Sequence, residues 1–313
     1  MNKINLLLLI CLLVVTPLFF IGGLDFYSGR SLKFIWNFGH IIFFAVATCL
    51  ALRAMPSFAA RTFWFQCIAV ICISFVAGLA IELFQYWTSR KPDVEDLVKN
   101  MLGALIAVVM FSPSTDTVNK HGLLAARVVL AMIVCFQGYW LSSILYDEWN
   151  MRQQFPLLAD FESFTEVGRW EGDIPFYRSD EQQASGDYSL KIELDTSRYS
   201  GIDMNYLVSD WQGYDSLTLA VNNPHSEPLP VTIRIHDKHH AGNGRLYRDR
   251  FNRGFLLQRG WNGLSIDLHD IAGAPESRQM DMSAIVNVSI FVVDQKTVKT
   301  IFLDNIRLVK AAP

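Results

Sequence analysis

The stretch "IELFQYWTSRKPDVEDLVKNMLG", residues 81–103, places Glu82, Gln85, Arg90, Asp93, Asp96 and Asn100 between two strongly apolar runs. Glu82 and Gln85 are three apart and share one face of a helix. Asp93, Asp96, Asn100 and Gly103 recur at three or four, forming one stripe on the next helix. On consecutive antiparallel helices the two stripes face each other across the turn that holds Arg90. Glu82 lies about one turn inside its apolar run, where a carboxylate is costly unless paired or hydrated. Arg90 and Lys99 are the candidate partners. Such a set offers acid–base work by Glu82, Asp93 and Asp96, with Arg90 and His40 stabilising an anion. A plainer account stands beside it. "SRKPDVEDL" is a good helix start, with Pro92 suited to the first helical position and acidic residues favoured by the helix dipole.

The elements that must position these groups are membrane helices. Runs at 4–22, 34–52, 62–86, 97–111 and 123–146 approach the roughly 20 apolar residues a spanning helix needs. Trp36, Trp64, Tyr86, Trp87, Tyr139, Trp140, Tyr146 and Trp149 mark several ends, as interfacial belts do. The first run has no Ala-x-Ala cleavage pattern and reads as an uncleaved helix. Loop charges are balanced, and an inside N-terminus follows only if the 90–99 charges serve a site rather than topology. All five cysteines, the last being Cys135, lie in these runs, which argues for packing and against a disulfide framework. The net charge is -3 and no basic stripe stands out, which argues against a nucleic-acid partner.

The pattern Glu82-x-x-Gln85, Arg90, Asp93, Asp96, Asn100, Gly103 resembles the signature of the VanZ-like membrane protein family, over roughly residues 4–145. That family also has a His near the start of an earlier helix, matched here by His40 in "WNFGHIIFF". Asn37 stands where the family carries Lys, and Lys33 lies one to two turns earlier. The resemblance implies a multi-span bacterial envelope protein more firmly than it implies a reaction. His40 reads as a packing residue unless it meets Glu82 or Asp96 in space.

After about residue 155 the pattern changes. "YSLKIEL", "SLTLAVNN", "LPVTIRIHD", "WNGLSIDL", "VNVSIFVVD" and "TIFLDNIRLV" alternate apolar and polar residues between Gly, Pro and Asn signals, which predicts an antiparallel β-sandwich. Their order resembles the galactose-binding-like jelly rolls of carbohydrate-binding modules, over about residues 158–310. That resemblance implies a structural Ca²⁺ near the chain ends of the domain, with Asp160, Glu162 and Asp304 as the matching ligands. The simpler role for Glu162 and Asp304 is hydrogen bonding at turns and edges. The resemblance also implies a sugar-binding face. "IRIHD" and "YRDRFN" supply Arg234, His236, Asp237, Arg248, Arg250 and Asn252, of which alternation puts every second residue on one face. Trp211 and Trp261 read as core.

The sequence therefore predicts a multi-domain chain: an α-helical membrane bundle of about five spans over 1–150, then an all-β jelly roll over 155–313. The leading expectation is a multi-pass inner-membrane protein with an extracytoplasmic C-terminal domain. It touches membrane lipids and binds a surface glycan or a lipid-linked precursor. Two alternatives remain open at this stage. One is a membrane enzyme acting on an envelope lipid or glycan through the Glu82–Asn100 cluster. The other is an anchored scaffold whose β-domain docks a protein.

Overall fold

The computed structural model describes residues 2–19, 28–87 and 94–310, with the side chains of 18, 19 and 85–87 left aside. The chain divides into two compact units, Met1–Ser142 and Ser143–Pro313.

The first unit is helical. Its elements are α1 (Lys3–Val15), α2 (Arg30–Ala54), α3 (Pro56–Ala59), α4 (Phe63–Trp87), α5 (Val94–Phe111) and α6 (Lys120–Gln154), whose last residues belong to the second unit. The breaks follow the proline rules. Pro17 comes just after α1, Pro56 opens α3, and Pro113 sits in the turn beyond α5. Among the described residues, three helical segments are long and apolar enough to cross a bilayer: Arg30–Ala54, Phe63–Phe84 and Lys120–Gln154. The sequence suggested about five. The other two runs, at 4–22 and 97–111, differ from these three in described helix length and in charge. The 13 residues of α1 reach only about 20 Å, less than a hydrocarbon core of about 30 Å. The 18 residues of α5 include Glu95, Asp96 and Lys99 in its first two turns.

α5 packs against both α2 and α4, and glycine sets the distances. A Cβ on Gly103 would lie 2.2 Å from the Ile41 carbonyl oxygen, so α5 meets the backbone of α2 directly. A Cβ on Gly78 of α4 would lie 2.5 Å from Asn100 Nδ2 and 2.9 Å from Leu97 Cδ2. Phe44, Phe63, Val70, Ala104 and Val108 form the surrounding core. Fully buried Gln66 closes one end of the unit. Its Nε2 donates to the carbonyls of Phe58, Ala59 and Arg61, while its Oε1 accepts from Ser112.

The second unit is a sandwich of antiparallel sheets. Its strands are β1 (Leu157–Ala159), β2 (Trp170–Glu171), β3 (Phe176–Ser179), β4 (Ser189–Leu194), β5 (Tyr199–Met204), β6 (Ser216–Asn223), β7 (Leu229–Asp237), β8 (Phe251–Leu257), β9 (Gly260–Asp267), β10 (Ile285–Val293) and β11 (Lys299–Val309). Two short helices, α7 (His239–Gly242) and α8 (Leu268–Ala272), sit between strands. One sheet runs β3-β4-β11-β6-β9 with β1 beside β11, and the other runs β2-β5-β10-β7-β8. This is the jelly-roll sandwich that the alternation predicts. In β4, Leu190, Ile192 and Leu194 turn inward with no exposed surface, and Lys191 and Glu193 turn outward. Trp211 is fully buried in the core and its indole N–H donates to the Val208 carbonyl at 2.9 Å. Trp261, also expected in the core, is only partly covered.

Because Gly103 sits against main chain, the α2–α5 crossing has little room to give. Gly103→Ala should lower the stability of the detergent-solubilised protein by about 1–3 kcal/mol, read as a lower thermal midpoint. An unchanged midpoint would rule out so close a crossing.

Candidate functional site

In the helical unit the α2–α5 contact assembles a buried polar chain. His40 of α2 is 2% exposed, and Asn100 of α5 is fully buried. His40 Nδ1 lies 2.9 Å from Asn100 Oδ1, and Nε2 lies 3.3 Å from Asp96 Oδ2. Lys99 Nζ donates to the other Asp96 oxygen at 3.0 Å and reaches Glu95 at 3.4 Å. One imidazole thus joins an amide oxygen to a carboxylate, and a lysine completes the row. His40 thus meets Asp96 in space. Glu82 is also buried, at 4% exposure. It lies one turn beyond Gly78, on the helical face that meets Asn100. Beside this row is a hollow of about 400 Å³ lined by Phe34, Asn37, Phe38, Glu95, Lys99 and Trp140, among others. Of the remaining sequence candidates, Arg90 and Asp93 lie outside the described residues, as does the side chain of Gln85.

In the sandwich, the outward face of the β2-β5-β10-β7-β8 sheet forms a second site. Strand register lines up Asp203, Ser289, Arg234 and Asn252 across four strands. Arg234 Nη2 donates to Asp203 Oδ1 at 2.7 Å, and its Nε donates to Ser289 Oγ at 3.0 Å. Ser289 and Asn287 also donate to Asp203 Oδ1. In the next row Phe291 lies opposite Gly201, and its ring meets Tyr199 edge-on at 6.1 Å. A Cβ on Gly201 would lie 2.3 Å from Phe291 Cβ, so only glycine leaves the ring its place. These residues, with Ile202 and Arg250, line a hollow of about 280 Å³.

Four of the six sequence-predicted face residues gather on this sheet. Arg234 and Arg250 line the hollow, Asn252 continues its row, and His236 pairs in register with Asn287 one row along. Asp237 and Arg248 do not join them. Asp237 is fully buried at the end of β7, where Arg278 clamps it, and exposed Arg248 meets Glu276 at 3.3 Å. Strand-end Asp237 breaks the alternation because it anchors a loop. Tyr199, Asp203, Ser289 and Phe291 went unnoticed. Alternation puts them on an outward face, but no local signal says which strand becomes the neighbour of β7.

Arg278 holds the loop that carries Arg250. Its guanidinium donates to both Asp237 oxygens and to Asp249 at 2.7 and 2.9 Å. Hydrogen bonding from Arg278 holds the Asp249 carboxyl down at about 2, and burial opposes it. Buried His240 bonds Asp249 at 3.2 Å and stacks on His236 at 4.6 Å. Burial, then the charges of His240 and Arg234, bring His236 down to about 4.

The sequence-predicted metal ligands divide. Glu162 Oε1 accepts from the main-chain N–H groups of Asp187 and Tyr188, and Asp304 Oδ2 accepts from those of Ala184 and Ser185. Both therefore anchor one loop. A second buried carboxylate, Glu166, was missed by the sequence reading. Its Oε2 accepts from Asp160 and Phe161 N–H. Glu166 Oε1 and Asp304 Oδ1 are buried and meet no hydrogen-bond donor among the described residues. Burial pushes both carboxyls up, and the Asp160 charge adds to it in both. Oxygen-only donors with uncompensated charge fit a hard cation such as Ca²⁺. Among the described residues no three His, Cys, Asp or Glu side chains gather as a metal cage, so main-chain oxygens or water would complete the shell.

Comparison with known proteins places a match to the VanZ/LLP1 family model at residues 4–115. No curated protein matches the chain. The sandwich has carbohydrate-binding modules among its structural neighbours. A family 11 carbohydrate-binding module from Clostridium thermocellum, in complex with a beta-1,3-1,4-mixed-linked tetrasaccharide, is 14% identical with TM-score 0.40, covering 50% of this chain and 95% of its own. The CBM22-1 xylan-binding domain from Paenibacillus barcinonensis is 19% identical with TM-score 0.34, covering 50% and 96%. An exo-beta-agarase is 16% identical with TM-score 0.41, covering 50% of this chain and 25% of its own.

His236 gives the sandwich an acid-sensitive step. Its folded value, about 4, lies below the ordinary 6.5, so between these the unfolded chain binds more protons and stability rises with pH. Stability should fall by up to about 3 kcal/mol as pH drops from 6.5 to 4. His236→Gln should flatten that limb in urea unfolding followed at several pH values. An equally steep limb in the variant would assign the effect elsewhere.

Proposed function

We propose that this is a bacterial cell-envelope membrane protein whose sandwich binds a glycan on the β5-β10-β7-β8 face. The observation that carries this reading is the hollow where the Tyr199 and Phe291 rings meet the Arg234–Asp203–Ser289 network. A pyranose has an apolar face and a rim of hydroxyls. Aromatic rings suit the first, and fixed donors and acceptors suit the second. Arg234, Ser289 and Asp203 already hold one another, so their geometry is set before a ligand arrives.

In the same reading, the helical unit inserts in the membrane, and its His40–Asp96–Lys99 row faces the polar part of a lipid or lipid-linked glycan. The hollow beside Lys99 and Glu95 supports this role. The sandwich lies on the extracytoplasmic side, where such glycans are displayed. Glu166 and Asp304, with Asp160 near, hold a Ca²⁺ that neutralises their buried charge and fixes the loop at 184–188. Glu162 lies beside the same loop, with Oε1 taken by two main-chain N–H groups, so Glu166 Oε1 and Asp304 Oδ1 are the buried oxygens left open to the ion.

Phe291→Ala should weaken binding of the full-length protein to its best ligand on a glycan panel by about tenfold or more, measured by titration calorimetry. Full binding by the variant, or no binding by the wild type across a broad panel, would remove the glycan reading. Ca²⁺ at millimolar concentration should raise the thermal midpoint relative to EDTA, and Glu166→Gln should abolish that response. Identical melts with Ca²⁺ and EDTA would dismiss the cation.

A further inference from the structure

Arg250 differs from every other charged group in the face hollow. The one carboxylate among the described residues lining it, Asp203, is already occupied on Oδ1 by Arg234, Ser289 and Asn287. Arg234 is likewise engaged through Nε and Nη2. Arg250 Nε, by contrast, is buried and meets no acceptor among the described residues. Its guanidinium lies 5.3 Å from the centre of the Tyr247 ring, which steadies the cation without neutralising it. Two guanidiniums against one carboxylate leave a net charge of +1 in the hollow.

The position of Arg250 is built rather than incidental. The preceding residue, Asp249, is 4% exposed and is held by Arg278, His240 and Asn243. Arg278 also holds Asp237 at the end of β7. The residue after Arg250 opens β8 in register with Ile235. Arg250 is therefore fixed on both sides. Arg250 is half-buried and its guanidinium meets no carboxylate among the described residues, so a ligand that brings one gains a charge-assisted bond rather than an ordinary one.

We propose that the face selects glycans carrying a uronic acid, whose carboxylate pairs with Arg250 while the sugar ring rests on Phe291 and Tyr199. Nε is enclosed, so a ligand meets the guanidinium at its terminal nitrogens. These present two parallel N–H groups, a fork that matches a planar carboxylate. A hydroxyl could accept from one N–H but would leave the charge uncompensated. The aromatic pair stands on the same floor, so one residue of a hexuronate can meet both. This inference rests on the glycan reading and narrows it to an acidic ligand class.

The test uses the detergent-solubilised full chain and two polymers that share one sugar backbone, polygalacturonate and its fully methyl-esterified form. Wild type should bind the free acid about tenfold or more tightly than the ester. Arg250→Gln should bind both at the weak level of the ester, and Arg250→Lys should restore part of the preference. Arg253→Gln removes a half-buried arginine of the adjoining strand that pairs with Asp270 and does not line the hollow, so it should keep the full preference. A thermal melt of each variant at the wild-type midpoint shows that the effect is not unfolding. Equal binding of acid and ester by wild type overturns the uronate proposal and leaves the glycan reading standing. A preference that survives in Arg250→Gln also overturns it. Binding of neither polymer overturns the proposal, and the broad glycan panel then decides the parent reading separately.

Discussion

Asp147, on the final turns of α6, and Arg169 meet with 2% and 1% of their side chains exposed. Arg169 donates to Asp147 from Nε and Nη2, at 2.9–3.1 Å, and from Nη1 to the Leu158 carbonyl at 2.7 Å. Thr165 donates to the same carboxylate at 2.9 Å. A buried pair of full charges is tolerated only when its remaining donors and acceptors are met, and here most of them are. The pair fixes the end of α6, β1 and the turn before β2 as one piece. Through Glu166, which holds the Asp160 and Phe161 amides, the same piece reaches the carboxylates near the loop at 184–188. The requirement that buried charge be met thus sets where the sandwich begins.

The same requirement recurs wherever this protein concentrates chemistry. His40, Asp96 and Lys99 satisfy one another among apolar helices, and Arg278 satisfies Asp237 and Asp249 beneath the sheet face. Among the described residues, atoms of Arg250, Glu166 and Asp304 are among those left without a partner, and these three are where the proposed ligands are assigned. The filled polar sites hold elements in place.

Periodicity carried much of this into the sequence. The outward alternation of β4 and β9 was legible because each strand buries one face. The stripe Asp96, Asn100, Gly103 was legible because three- and four-residue spacing is local. What was not legible depended on distant pairing. Phe291 and Tyr199 become neighbours only because β10 lies beside β5, nearly ninety residues away in the chain. Glu166 looked like one more acid in "DFESFTE", since nothing local distinguishes a buried carboxylate from an exposed one. Hydropathy marks how apolar a run is and not how long its helix is, so the runs at 4–22 and 97–111 look in the sequence like the three longer ones. Gly103 entered the sequence pattern as a family position; its physical reason, contact with the Ile41 carbonyl, needed the fold.

All five cysteines are carried by the helical half, and the sandwich core is built from Leu, Ile, Val, Phe, Met and Trp side chains. With no thiol in it, the sandwich can form no disulfide, native or mispaired. Its folding makes no demand on an oxidase or a disulfide isomerase. The redox state of the compartment in which this half folds therefore sets no condition on its covalent structure.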